Sequence, residues 1–263
     1  MKKTVLCVFL LSAMLLSITL PCSANEPVLH WYCQHAKAHL QPPVAPELAF
    51  VRELGGYYAD ERHSLLGDED KVVYLTFDAG YENGNVERVL DVLREEQVTA
   101  AFFVLGHLIS SEPALVQRMV DEGHAVCNHT MHHKNMAKLD KASFIGELEE
   151  LERLFEERYG KPLSPYYRPP EGCFTKQNLL WAQEKGYKTV FWSFAYPDWD
   201  NAKQMSQEKA KSIVLGNLHN GEVMLLHPTS ATNADILSSV IREAKEQGYR
   251  FGSLDELTEE RNG

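Results

Sequence analysis

Five apolar runs in this chain are each followed by residues able to do chemistry. Asp78 follows Leu75-Thr76-Phe77, and Asn128, His129 and Thr130 follow Ala125-Val126-Cys127. Arg168 follows Tyr166-Tyr167, Asp198 and Trp199 come a few residues after Val190-Phe191-Trp192, and His227 follows Met224-Leu225-Leu226. Carboxylates and imidazoles are the groups that move protons at neutral pH, and imidazoles also hold metals. One such residue after an apolar run carries little weight; five in the same register make a catalytic constellation. His129 and His133 are four residues apart, a spacing that puts two imidazoles on one helix face and suits a metal. With 11 histidines in 263 residues, roughly 0.5 such pairs are expected by chance alone. His35 and His39 share the spacing and read as a solvated helix face. His129 and His133 read as ligands because of their company, and His132 would serve in place of His133, since three residues apart also share a face.

The runs themselves have the rhythm of a parallel α/β fold. Val72 to Phe77, Ala100 to Leu105, His124 to Asn128, Tyr166-Tyr167, Thr189 to Ser193, Val223 to Leu226 and Tyr249 to Gly252 are strand-like. Between them, apolar residues recur at helical spacing, as in Val86, Val89, Leu90 and Leu93, or Phe144, Leu148, Leu151 and Phe155. Thr232 with Asp235 reads as a capping box ahead of Ile236, Val240 and Ala244. Strands alternating with helices imply β-α units, and about seven strands predict a distorted (β/α) barrel, with an open doubly wound sheet as the alternative. In either architecture the site lies at the carboxyl ends of the strands, where the five groups fall.

The flanks and composition narrow the function further. Lys2 and Lys3, the apolar run Val5 to Leu20 and the small residues Ser23-Ala24 read as an export signal over residues 1–24; the run is shorter than the ~20 residues of a membrane span. Residues 25–66 form a proline-limited lead-in expected to pack on the outside of the barrel, residues 67–258 the main domain and 259–263 a tail. Past the signal the chain keeps Cys33, Cys127 and Cys173, an odd number that implies no closed disulfide framework. The formal net charge of −11 argues against a nucleic-acid partner, because phosphate binding rests on clustered Lys and Arg.

Five ordered segments resemble the motifs of the polysaccharide deacetylases with the NodB homology domain, carbohydrate esterase family four. They are Thr76-Phe77-Asp78-Ala79-Gly80, His129-Thr130-Met131-His132-His133, Arg168-Pro169-Pro170-Glu171-Gly172, Ser193 to Trp199, and Leu225-Leu226-His227. Asp78 to Gly84 and His227 to Ser230 look most like the spore-cortex branch, which acts on N-acetylmuramic acid. The resemblance implies an NodB-like distorted barrel and an exported monomer that hydrolyses acetamido groups on a peptidoglycan glycan strand. It implies Asp78 as base, Arg168 as its orienting partner, His227 as acid and Asp198 as the partner of His227. Trp199, Leu225, Pro169 and Tyr81 become substrate-binding positions, and His129 and His133 the metal-binding imidazoles. Most members carry a second aspartate where this chain has Ala79, and a methyl group cannot ligate. A divalent ion (zinc, manganese or magnesium) is therefore expected to be weakly held, completed by water or Asp78, or by the lactyl carboxylate of muramic acid. The competing expectations are an N-acetylglucosamine deacetylase and a non-catalytic glycan-binding domain. Cys173, close to Arg168, reads as a small apolar residue rather than a nucleophile.

Overall fold

The computed structural model describes residues 26–36, 38–64 and 69–259; the expected export signal, the boundary near residue 67 and residues 260–263 of the tail lie outside them. Among the described residues the strands are β1 (Leu29–His30), β2 (Gly56–Tyr57), β3 (Lys71–Ala79), β4 (Ala101–Val104), β5 (Ala125–Asn128), β6 (Ser164–Tyr167), β7 (Cys173–Phe174), β8 (Lys188–Val190), β9 (Glu222–Leu226) and β10 (Tyr249–Phe251). The helices are α1 (Val86–Glu95), α2 (Gly106–Ser111), α3 (Pro113–Asp121), α4 (Lys141–Tyr159), α5 (Lys176–Glu184), α6 (Gln207–Asn217), α7 (Ala231–Glu246) and α8 (Leu254–Leu257).

One sheet runs β10-β3-β4-β5-β6-β8-β2, with β9 also paired to β3, and all its strand pairs are parallel. The sheet curls until Phe194, just past β8, bridges Met224 of β9. Ser193 N and Phe194 N donate to Val223 O there, and Leu225 N donates to Phe194 O. The barrel is distorted because an irregular segment, not a full strand, makes this closure. The lead-in is part of the architecture: β1 pairs antiparallel with β7, and β2 extends the sheet beside β8, Gly56 against Thr189 and Tyr57 against Val190. Gly56 lets this strand pass close to Val51 earlier in the lead-in, since a Cβ there would lie 2.3 Å from Val51 Cγ1.

The two-residue period of a strand sorts every run into two faces. On β3, Val73, Leu75, Phe77 and Ala79 point toward the helices. They share a core with Val86, Val89, Leu90 and Leu93 of α1 and with Ile236, Leu237, Val240 and Ile241 of α7. Each Val, Leu, Ile or Phe among them, fully buried, contributes about 1.5–3 kcal/mol. Val72 and Tyr74 point inward, where they meet Ala101, Phe103, Cys127, Tyr166, Val190 and Val223. Carrying that inward parity to the strand ends leads to Asp78, His129, Arg168 and His227. The period that builds the barrel interior thus delivers the polar groups to its rim.

Local details differ from the sequence expectations in two places. Helix α7 is capped by Ser230, whose hydroxyl accepts from Asn233 N at 3.1 Å; Thr232 instead donates to Met205 O. His35 and His39 lie on no helix. Ala38 and His39 have positive φ, His39 Nδ1 lies 2.6 Å from Leu218 O and His35 meets the Phe194 ring edge-on. They fasten the lead-in to the barrel.

Candidate active site

Arg168 is the best-fixed residue of the rim. It is fully buried and every nitrogen of its guanidinium is used. Nη1 donates to Asp78 Oδ1 at 2.8 Å, Nη2 to Thr76 Oγ1 at 2.9 Å and Phe191 O at 3.2 Å, and Nε to Val190 O at 3.0 Å. Its Cζ lies 4.1 Å from the Phe103 ring centroid, a favourable place for a desolvated cation. Thr76 passes its own hydrogen to Met224 O at 2.7 Å. Burial opposes a charge on Asp78, but Arg168 foremost, with His227 beyond, outweighs it and holds the carboxyl below its ordinary value.

His129 follows β5 and is 3% exposed. Its Nδ1 lies 2.9 Å from Arg168 O; a carbonyl only accepts, so Nδ1 carries the hydrogen and Nε2 keeps a lone pair. That Nε2 is 3.6 Å from Asp78 Oδ2. Burial foremost, with a neighbouring imidazole, pushes His129 down to about 4 despite Asp78, so the ring is neutral. His133 meets it at 5.2 Å between ring centroids. The two are brought together by a loop, not by the helix face that the spacing suggested: Thr130 and His133 both have positive φ, and Thr130 Oγ1 accepts from His133 N at 3.0 Å. His132 turns away to Glu147, with Nδ1 3.0 Å from Oε1, which decides between the two candidates.

Two adjacent imidazoles, one with a bare lone pair, are donors suited to a cation. Ala79 is fully buried in the apolar layer, and among the described residues no three His, Cys, Asp or Glu side chains come together as a metal site. The set therefore fits a divalent ion bound through His129 and His133 and one protein ligand short, a weakly held ion.

The other pair stands on the β8–β9 side. Asp198 is 2% exposed. Its Oδ1 is 2.7 Å from His227 Nδ1, and its Oδ2 accepts from His227 N at 2.8 Å. His227 feels burial pulling its pKa down, but the Asp198 hydrogen bond and charge, with Asp78 beyond, leave it raised. Register brings the two pairs together: Phe77 of β3 opposes Leu226 of β9, so Asp78 and His227 are the next residues along adjacent strands. Around them, Trp199 (60% exposed) and Tyr81 (43%) stand open to solvent. The Trp199 ring is 6.2 Å from that of His227, and Asn201 Nδ2 donates to Tyr81 Oη at 2.7 Å. Pro169 and Leu225, expected to line a groove, are buried. Leu225 has the inward parity, two residues before His227.

Residues 67–190 match the family model described as polysaccharide deacetylase. Over 234 residues the chain is 36% identical to the peptidoglycan-N-acetylmuramic acid deacetylase PdaA of Bacillus subtilis, a match covering 89% of this chain and 86% of that protein. The chain belongs to the polysaccharide deacetylase family. The solved structure of Bacillus subtilis PdaA, a family 4 carbohydrate esterase, superposes with a TM-score of 0.81 at 35% identity, over 88% of this chain and 96% of that one. A peptidoglycan-N-acetylglucosamine deacetylase of Bacillus cereus is 31% identical over 195 residues, 72% of this chain and 89% of that protein. As a polysaccharide deacetylase this chain carries the Asp–His pairing complete, each member with its own partner, Arg168 or Asp198. Sequence reasoning passed over Thr76, Tyr196 and Asn233. Thr76 had a signal, a hydroxyl inside an otherwise apolar buried strand; Asn233 looked like any polar residue in the first turn of a helix.

Proposed function

We propose that this protein removes the acetyl group from N-acetylmuramic acid in peptidoglycan glycan strands, outside the cytoplasmic membrane, in the cortex of a spore. The freed amine would then close onto the lactyl carboxyl as muramic δ-lactam. The observation that carries the reading is the side-by-side placement of Asp78 and His227 with opposite pKa shifts. A base must stay ionised and an acid must keep its proton, and each has a buried partner that enforces this.

In the reaction, Asp78 accepts a proton from a water molecule as its oxygen bonds to the acetamido carbon. Arg168 holds the carboxylate ionised and aimed. His227 gives its proton to the nitrogen as the C–N bond breaks, leaving acetate and a free amine. Asp198 stabilises the imidazolium before that transfer. A divalent ion at His129 and His133, when bound, would polarise the carbonyl and lower the pKa of water. Trp199 and Tyr81 offer exposed ring faces to the sugar. The preference for muramic acid is supported by the length of the match to PdaA and by the segments Asp78–Gly84 and His227–Ser230.

The Bacillus cereus relative supports a second reading, an N-acetylglucosamine deacetylase. Incubation with defined peptidoglycan and chitin oligomers, with acetate release and the mass of each sugar measured, separates them. Loss of 42 mass units (roughly one acetyl group) from muramic acid alone is the expected result. Loss from glucosamine alone would replace the substrate assignment, and binding without acetate release would leave a glycan-binding domain.

A further inference from the structure

Asn233 lies in the first turn of α7 and is 1% exposed. Its side-chain nitrogen donates to Asp198 Oδ2 at 2.6 Å and to His227 O at 3.1 Å. Its Oδ1 accepts the hydroxyl hydrogen of Tyr196, which is itself buried. The neighbours settle which way the amide points: a carboxylate and a carbonyl both require a donor, so the nitrogen faces them. Both amide hydrogens and the amide oxygen are then used, and Ser230 fixes the backbone from below.

The arrangement has a consequence for the acid. Asp198 Oδ2 is occupied by His227 N and by Asn233, which leaves Oδ1 for His227 Nδ1. The same Asn233 nitrogen holds the carbonyl of His227. The carboxylate and the residue that bears the imidazole are therefore tied to one group, and neither can rotate without breaking a buried hydrogen bond. We infer that Asn233 is a positioning residue for the proton donor, fixing Asp198 and His227 as one unit and itself held by Tyr196. The inference rests on the deacetylase reading above, in which the free imidazole nitrogen must face the leaving amine.

Two substitutions test it. In Asn233→Asp the introduced carboxyl, when protonated, has the shape of the amide, offers its one hydrogen to Asp198 and an oxygen to Tyr196, and gives up only the longer contact to His227 O. Once ionised it has no hydrogen to give and sets a second negative charge against Asp198, whose own charge delays that ionisation. Asn233→Asp should stay within a few-fold of the parent kcat at the acid end of the pH profile and fall roughly 10- to 100-fold toward alkaline pH. KM should hold. Asn233→Leu should lose about the same factor at every pH. Tyr196→Phe, which keeps the ring packing, should lower kcat a few-fold with KM unchanged. Parent-like kcat and pH profile in the two Asn233 variants would overturn the inference while leaving the deacetylase reading intact. So would a loss in Asn233→Asp that is equal at every pH, since damage to packing alone has no pH dependence. If Asn233→Leu does not fold, Asn233→Asp and Tyr196→Phe decide. A parent protein that releases no acetate from any glycan overturns both.

Discussion

Asp78 and His227 stand one residue beyond Phe77 and Leu226, which oppose each other on adjacent parallel strands. Neighbouring strands lie about 4.8 Å apart, close to the span of an amide and the water that attacks it. The separation between the two proton-transfer groups is thus set by the hydrogen-bonded ladder of the sheet. Arg168 and Asp198 reach these groups from further around the rim, so the partners can polarise them without occupying the substrate's place.

Replacing the base is the most direct test. Asp78→Asn keeps the shape and the Arg168 contact but cannot take a proton. Deacetylation should fall by roughly 10²–10⁴-fold, while glycan affinity measured by calorimetry stays near the parent value. Unchanged acetate release would assign the base elsewhere.

The pH profile follows from the two shifts. Asp78 acts deprotonated and its pKa is lowered, so the acid limb of kcat/KM should lie below the ordinary Asp value of about 3.9. His227 acts protonated and its pKa is raised, so activity should persist as pH rises and fall only above about 6.5. Asp198→Asn removes the charge that opposes burial. The alkaline limb should then move to lower pH, and a limb that stays in place would show that His227 is not the acid.

Arg168 couples activity to stability. Arg168→Met leaves the Asp78 carboxylate buried without its main counter-charge, a change that costs about 3–5 kcal/mol. Urea unfolding should report the loss. In the surviving folded protein the Asp78 pKa should rise and carry the acid limb upward with it.

Metal dependence should reflect the missing ligand at Ala79. In metal-stripped protein, zinc, manganese or magnesium should bind weakly by calorimetry, and binding should tighten when a muramic-acid glycan supplies its lactyl carboxylate. His133→Ala should abolish what binding there is. Full activity in strong chelator would remove the ion from the reaction and leave Asp78 and His227 to perform it.

Trp199 tests the substrate surface. Its exposed ring next to His227 should contribute roughly 0.5–1.5 kcal/mol of contact with a sugar face. Trp199→Ala is expected to raise KM several-fold with little change in kcat; the reverse pattern would place the ring in the chemical step.

The barrel was legible because its signals are local. Continuous apolar runs such as Val72 to Phe77 and Val223 to Leu226 read directly as buried strands, and α1 and α7 between strands follow from period 3.6. β1, β2 and β7 have only two residues each, too short to show any period, and exist because other segments pair with them. At the site, Asp78, His129, Arg168 and His227 shared a register visible in the chain. His133 was found through a spacing whose presumed cause, a helix, is absent; the left-handed residues Thr130 and His133 do the work instead. Asn233 and Tyr196 were hidden because their importance lies in which atoms face one another across the molecule, and no residue type signals that.

β2 has a practical consequence for anyone trimming the gene. A chain begun at residue 67 would keep every residue of the rim but strip β8 of the neighbour that covers Thr189 and Val190. The bared amides would invite other molecules to dock along them, as open sheet margins do. Insoluble protein from such a truncation would report on that lost margin, and the remedy is to restore the upstream segment rather than to alter the catalytic half.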